Sequence, residues 1–351
     1  MNVLVTGGAG FVGSTIALAL HRALAGGHVT ALDNLHRKGS ELNLPRLQAG
    51  GIEFRRGDVR NPADFPAGEF DLLVECSADP SVLSGYHSSP DYLLATNISG
   101  AMHCLEFCRQ RRCAMIFLST SRVYPVKALS ELRLEETGTR FEICCGQTVP
   151  GAGPEGISED FPLAGPRSLY GATKLAAELL IEEYRAAYGL SMVINRCGVL
   201  AGPWQMARPD QGIFTYWLAQ HWWGRPLRYI GYGGEGKQVR DVLHAEDLAE
   251  LVVEQAQNLP HWDGACLNVG GGRSSALSLA ETTLLCRKLT GKTVPIVSEP
   301  SPRPMDIPVY IGDCRRLEKS TSWRPRHTAE QILEDTLRWI RENEAALRPL
   351  L

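Results

Sequence analysis

The chain has no stretch approaching the ~20 uninterrupted apolar residues of a membrane-spanning helix, so no membrane anchor is expected. Its first residues, Met1-Asn2-Val3-Leu4-Val5-Thr6, lack the basic start and apolar run of a secretory leader and read instead as a β-strand. A cytoplasmic location is the expectation. Charge of one sign is not in excess either. With 36 Lys and Arg against 39 Asp and Glu, the formal net charge is −3, which argues against a general nucleic-acid or polyanion binder. Ten cysteines are present, yet none forms a Cys-x-x-Cys pair: Cys104 and Cys108 are four apart, and Cys144 and Cys145 are adjacent. This spacing carries no metal-site pattern and suits buried small hydrophobes in a reducing compartment, and no metal is expected. His221 has no partner at ligand spacing and is expected to be structural.

What is present has the balance of a globular protein, 44% hydrophobic and 21% charged over 351 residues. That length suggests two domains, or one large α/β domain with an added lobe. Residues 2–6 read as a strand, followed by Gly7-Gly8-Ala9-Gly10-Phe11-Val12-Gly13 and an apolar helix from Ser14 to Leu24. Strand, glycine turn and helix are the context a dinucleotide-binding loop requires, with backbone N–H groups facing a pyrophosphate at the helix N-terminus. A second strand, His28 to Leu32, ends in Asp33, twenty positions after Gly13. A carboxylate there accepts hydrogen bonds from the adenosine ribose and repels a 2′-phosphate, favouring NAD over NADP. Arg37 and Lys38 lie close enough to soften that discrimination.

The alternation continues with a strand at 52–56 leading to Gly57-Asp58-Val59, and another at 71–76 running into Ser77-Ala78-Asp79. A helix from about Pro90 to Arg112 and a strand at 114–118 follow. This rhythm predicts an α/β fold with a parallel, doubly wound Rossmann-type sheet, whose ligands bind beyond the C-terminal strand ends. The expected domains are 1–200 for NAD, with 240–258 packing back onto it, and a second lobe at 201–351.

Tyr170 and Lys174 are four residues apart and share one face if 168–188 is helical. A cation held against a phenol favours the phenolate, making Tyr170 a candidate acid–base group for a substrate hydroxyl. The same helix is read with Glu178, Glu182, Glu183 and Arg185 on its solvent side. Thr120, after the 114–118 strand, can hydrogen-bond a substrate oxygen. Residues 125–166, rich in Gly, Pro, Glu and Thr, join these two elements and are read as a substrate-facing lid, the alternative being a peripheral or oligomer-contact loop. The aromatic stretch containing Phe214, Trp217 and Trp222 reads as packing of a second lobe, with base stacking as the alternative. The segment from Gly231 to Val242 reads as a polar hairpin or loop feeding a helix at 245–257. Arginines on loops, such as those at 240 and 303, can pair bidentately with phosphates, but for a single surface arginine plain solvation is the simpler reading.

Taken together, Gly7 to Gly13, Asp33-Asn34, Gly57-Asp58-Val59, Asn97-x-x-Gly100, Ser119-Thr120, Tyr170-x-x-x-Lys174 and Arg240-Asp241-Val242-x-His244-x-x-Asp247-Leu248 resemble the extended short-chain dehydrogenase/reductase family over essentially the whole chain. The resemblance implies NAD held by Gly7, Gly10, Phe11, Val12, Gly13, Asp33, Asn34, Arg37, Asp58, Val59, Cys76, Ser77, Ala78, Asn97, Tyr170 and Lys174. It implies a catalytic trio of Thr120, Tyr170 and Lys174, and a nucleotide-diphosphate sugar bound by Thr120, Gln211, Arg240 and Arg303. A homodimer through the helices at 90–112 and 168–188 is also implied. Within the family, Asp33 to Gly39, Glu136 to Phe141, Asp210-Gln211-Gly212 and Gly236 to Asp247 resemble epimerases that invert C2 of a CDP-linked deoxyhexose. The nearest alternative is a 4,6-dehydratase, but the Asp-Glu pair of those enzymes is replaced here by Ser121-Arg122. C4-epimerases and decarboxylases of the family, and a non-catalytic NAD-binding regulator, remain the other readings. The chain also departs from the family pattern at Glu75-Cys76-Ser77-Ala78, where His-Leu-Ala-Ala or His-Leu-Ala-Gly is usual, at Leu169 in place of Pro, and at Pro125 in place of Gly.

Overall fold

A computed structural model describes every residue except Ala25 and His87. It divides into two compact units, each assembled from separated stretches of chain. Unit 1 comprises Met1–Thr120, Leu169–Arg196 and Ala245–Leu267. Unit 2 comprises Ser121–Ser168, Cys197–His244 and Asn268–Leu351.

The frame of unit 1 is a seven-stranded sheet. Its strands are β1 (Asn2–Thr6), β2 (His28–Asp33), β3 (Glu53–Arg56), β4 (Leu72–Glu75), β5 (Ala114–Thr120), β6 (Met192–Cys197) and β7 (Cys266–Val269), in the spatial order β7-β6-β5-β4-β1-β2-β3. Strand β1 pairs in parallel with β2 and β4, β2 with β3, and β4 with β5. Central parallel strands are covered on both faces, so they are continuous apolar runs rather than alternating ones. Val3, Leu4 and Val5 are wholly buried, and every residue of β5 is buried. The strand order reverses direction between β1 and β4, the switch point where such sheets open a ligand crevice.

Helix α1 (Phe11–Ala23) starts directly after the glycine turn and packs against α4 (Ala245–Gln257). Helix α2 (Gly100–Arg111) continues from a π-turn over Ala95–Ser99. Helix α3 (Leu169–Tyr188) is built mainly from the strong helix formers Ala, Leu, Glu and Lys. It ends at Gly189, whose φ of +64° supplies the left-handed turn of a helix C-terminus. Ala177 and Ile181 of α3 join Leu105, Phe107, Phe117 and Ile194 in one apolar core.

Unit 2 has a four-stranded sheet in which Val239–His244 lies between Val199–Ala201 and Ala276–Ser278 and also pairs with Val309–Tyr310. The reading of 231–242 as a polar hairpin or loop is thus corrected in its second half: residues 239–244 are a buried strand. The glycines at 231–236 gave the segment its loop-like composition, whereas Val239, Val242 and Leu243 bury their side chains. Trp217 and Tyr229 stack at 5.6 Å, and His221 bonds the Trp217 carbonyl, so the aromatic stretch is packing as expected. Residues 125–166 contain two short antiparallel hairpins, Leu134–Glu136 with Phe141–Ile143 and Ala152–Gly153 with Gly156–Ile157. The first is pinned within unit 2: the Phe141 amide donates to the Lys237 carbonyl, and Lys237 Nζ meets Glu136 at 2.7 Å.

Candidate active site

The turn between β1 and α1 has no room for side chains. A Cβ on Gly13 would lie 2.2 Å from the Gly7 carbonyl oxygen, and one on Gly7 would lie 2.8 Å from that of Cys76. Gly7 also holds a φ of +62°, a region glycine enters without strain. The first turn of α1 carries no acidic residue and no side-chain cap, so its N–H groups and partial positive charge stay available to an anion. Phe11 and Val12 are half-buried at this helix start. The cradle fits a dinucleotide pyrophosphate.

Asp33, the last residue of β2, accepts the Ala9 amide at 3.0 Å through Oδ2 and the Leu35 amide at 2.8 Å through Oδ1. Burial pushes its carboxyl up, and these backbone donors oppose the shift. Asn34 donates to Asp58 at 2.9 Å, and Arg60 grips Asp58 with two bonds, holding that carboxyl well below the usual range. Val59 is buried beneath Gly100. Arg37 is half-buried on the loop after β2. Asp33, Asn34 and Arg37 stand at the C-terminal end of β2, and Asp58 and Val59 at that of β3.

Cys76, Ser77 and Ala78 follow β4 and are all half-buried. Asn97, in the π-turn, accepts the Asp79 amide at 2.8 Å and donates to its carbonyl at 3.2 Å and to Thr173 Oγ1 at 3.0 Å. It therefore fastens the loop after β4 to α3, three residues from Tyr170. This is a positioning role that the motif alone did not reveal.

Thr120 ends β5, and Tyr170 and Lys174 occupy the first two turns of α3, which packs on that strand. All three are buried, at 8%, 9% and 3% exposure. Lys174 Nζ lies 3.3 Å from Glu75 Oε2 and 4.1 Å from the centre of the Phe117 ring. Sequence reading did not select Glu75. Its signal was a carboxylate closing an otherwise apolar strand, Leu72-Leu73-Val74.

The placement of Glu178 on the solvent side of α3 is also corrected. Glu178 is 2% exposed, receives two arms of Arg196 at 2.8 to 3.2 Å, and accepts the Ser119 hydroxyl. Its partners stand on β5 and β6, so helix periodicity alone could not find them.

The remaining expected substrate residues belong to unit 2, gathered around one segment. Arg240 donates to Asp306 at 3.0 Å and to the carbonyls of Val239 and Ile307, both at 2.7 Å. Arg303 donates to the Pro209 carbonyl at 3.0 Å, and the Gln211 backbone pairs with that of Arg208 on the same loop. Among the described residues, His244, His327 and Asp335 are the one group with ligand atoms within 4.8 Å of each other. The two imidazoles are stacked at 4.2 Å and 21°, so their in-plane lone pairs do not converge on a common ion, and Asp335 is already paired with Arg338.

A parallel doubly wound sheet, a dinucleotide turn and a Tyr-x-x-x-Lys helix beside a strand-end Thr define an NAD-dependent enzyme of the extended short-chain dehydrogenase/reductase class. The family model described as the NAD dependent epimerase/dehydratase family matches residues 3–270, and the chain belongs to that family. It is 31% identical to CDP-paratose 2-epimerase of Salmonella typhi, over 97% of this chain and 99% of the relative. It is 28% identical to dTDP-glucose 4,6-dehydratase of Streptomyces niveus, over 100% of this chain and 96% of the relative. Among solved structures it is similar to the UDP-glucose 4-epimerase of Thermus thermophilus in complex with NAD. That match has a TM-score of 0.77 at 26% identity and covers 97% of this chain and 99% of the other.

Proposed function

We propose that the chain is a nucleotide-sugar epimerase that oxidises a sugar hydroxyl transiently to a ketone, and that its substrate is a CDP-linked deoxyhexose inverted at C2. The observation that carries epimerisation over dehydration is the pair following Thr120. Water elimination needs an added acid and base, and Ser121 and Arg122 offer neither at neutral pH. The CDP and C2 assignments rest on the near full-length likeness to CDP-paratose 2-epimerase, together with the Glu136 to Phe141 and Gly236 to Asp247 motifs.

In this reading Tyr170, with the Lys174 ammonium one turn away, takes the proton of the sugar hydroxyl, while Thr120 orients the oxygen. Bound NAD would supply a reversible acceptor for the hydrogen of the reacting carbon with its electron pair and would end unchanged. Asp33 and the glycine turn are the residues that would hold the cofactor. The ring must present its opposite face before the return, after which Tyr170 gives the proton back. In unit 2, Arg240, Arg303 and Gln211 are the proposed holders of the nucleotide diphosphate. The proposed assembly is a homodimer, and the proposed location is the cytoplasm.

The test is a thermal-shift comparison of CDP-, UDP-, GDP- and dTDP-sugars on the NAD-loaded enzyme, followed by NMR of the product. Preferential stabilisation by CDP-sugars and a C2-inverted product are expected. Equal shifts for all four bases would remove the CDP assignment. A 4-keto-6-deoxy product would replace epimerisation with dehydration.

A further inference from the structure

Behind the catalytic helix lies a buried polar chain. Lys174 Nζ sits 3.3 Å from Glu75 Oε2, with both side chains at most 4% exposed. Glu75 Oε1 accepts the Ser77 hydroxyl at 2.6 Å, which lies 3.3 Å from the Thr6 hydroxyl. The carboxylate is thus oriented from β1 and from the loop after β4, while the lysine comes from α3. Among the described residues, the Phe117 ring from β5 and Cys104 from α2, its thiol pushed up by burial, lie against this pair, and Tyr170 precedes Lys174 by one turn of α3. Glu75 is the anion in contact with Lys174.

A lysine whose only task is to acidify a tyrosine gains nothing from a carboxylate on its ammonium. The carboxylate shares the positive charge and weakens its pull on the phenolate. An enzyme that takes a proton and must return it has a use for that restraint, because a phenol made too acidic returns its proton poorly. We propose that Glu75 is a positioning residue that holds Lys174 and limits how much of its charge reaches Tyr170, matching the phenol to proton transfer in both directions. The proposal rests on the reading of Tyr170 as the proton-transferring group.

The test needs no substrate, so its outcome is separable from that of the proposed reaction. The near-ultraviolet phenolate absorbance of the NAD-loaded enzyme is titrated against pH, and subtracting the Tyr170→Phe curve isolates Tyr170. Glu75→Gln keeps the shape and the acceptor for Ser77 but removes the charge, so the Tyr170 midpoint should fall by about one pH unit, a roughly tenfold larger acid constant. Lys174→Met should raise the midpoint. With no lysine charge left for Glu75 to restrain, adding Glu75→Gln on that background should leave the midpoint where it is. Glu75→Asp, which retains the charge but withdraws it, should give a smaller fall and serves if the Gln variant does not fold. An unchanged or raised midpoint in Glu75→Gln, or an equal fall with Lys174→Met present, would overturn the proposal. Once a nucleotide-sugar is turned over, the acidic limb of the kcat–pH profile should move with the spectroscopic midpoint. A limb that stays fixed while the midpoint moves would detach Glu75 from proton return.

Discussion

Replacing Arg196 with Met should destabilise the protein by about 3–5 kcal/mol, because it strands the buried Glu178 carboxylate. The gross attraction across the 2.8 Å contact is roughly 6 kcal/mol at an effective dielectric near 20, and the desolvation of two ions offsets much of it. The intact pair therefore adds little net stability, whereas removing one partner exposes the whole penalty of the other. The cluster also fixes the catalytic parts relative to one another: Ser119 precedes Thr120, and Glu178 lies one turn beyond Lys174. The single variant should lower kcat about tenfold or more through misplacement of Thr120, while NAD affinity changes by no more than about threefold. Denaturant unfolding of the NAD-free chain and steady-state kinetics supply the two measurements. Arg196→Met combined with Glu178→Leu should recover at least half of the lost stability, since no buried charge is then left alone. A double variant as unstable as the single one, or a single-variant loss below about 1 kcal/mol, would refute this account of the cluster.

Other outcomes are equally specific. Tyr170→Phe should abolish turnover while NAD binding, followed by fluorescence quenching, stays intact; undiminished product formation would remove Tyr170 from the mechanism. Asp33→Ser should narrow or reverse the preference for NAD over NADP by about tenfold or more in paired binding titrations, as the repulsion of a 2′-phosphate is lost. Substrate deuterated at the reacting carbon should keep its label in the product, and wash-out to solvent would indicate enolisation instead. Asp241 is wholly buried, and desolvation pushes its carboxyl up to about 6 from an unfolded value of 3.8. The folded state thus holds this proton more tightly than the unfolded chain, so the group's contribution to stability grows as pH falls below about 6 and is lost as pH rises through it. Relative to Asp241→Asn, the parent chain should be more stable at pH 5 than at pH 7 by denaturant melts, and a flat difference would refute the assignment.

Residues that act through local spacing are legible in the amino-acid sequence. The glycine turn, Asp33 at the end of β2 and the Tyr170–Lys174 pair depend on contacts within a strand–turn–helix unit or within one helix, so their spacing carries their geometry. The seven-stranded sheet follows from the alternation of apolar runs and helices. What escapes is set by distant pairing. Glu178 counts as solvent-facing until Arg196, eighteen residues on, is brought beneath it by β6. Glu75 meets Lys174 across 99 positions. The strand at 239–244 is hidden because glycines dominate the segment just before it, and its burial depends on partners at 199–201, 276–278 and 309–310.

The way the two units share the chain has a consequence for anyone wishing to dissect the molecule. Unit 1 closes only when Leu169–Arg196 and Ala245–Leu267 have returned to Met1–Thr120. A fragment ending at residue 120 would hold the glycine turn, Asp33 and Thr120, yet leave the Glu75 carboxylate without its lysine and α1 without α4 against it. During synthesis the nucleotide cradle emerges first and stays unsealed until residue 267 has been made. No single cut yields an independent cofactor domain. A working minimal version would have to be rejoined at two seams, replacing 121–168 and 197–244 with short linkers.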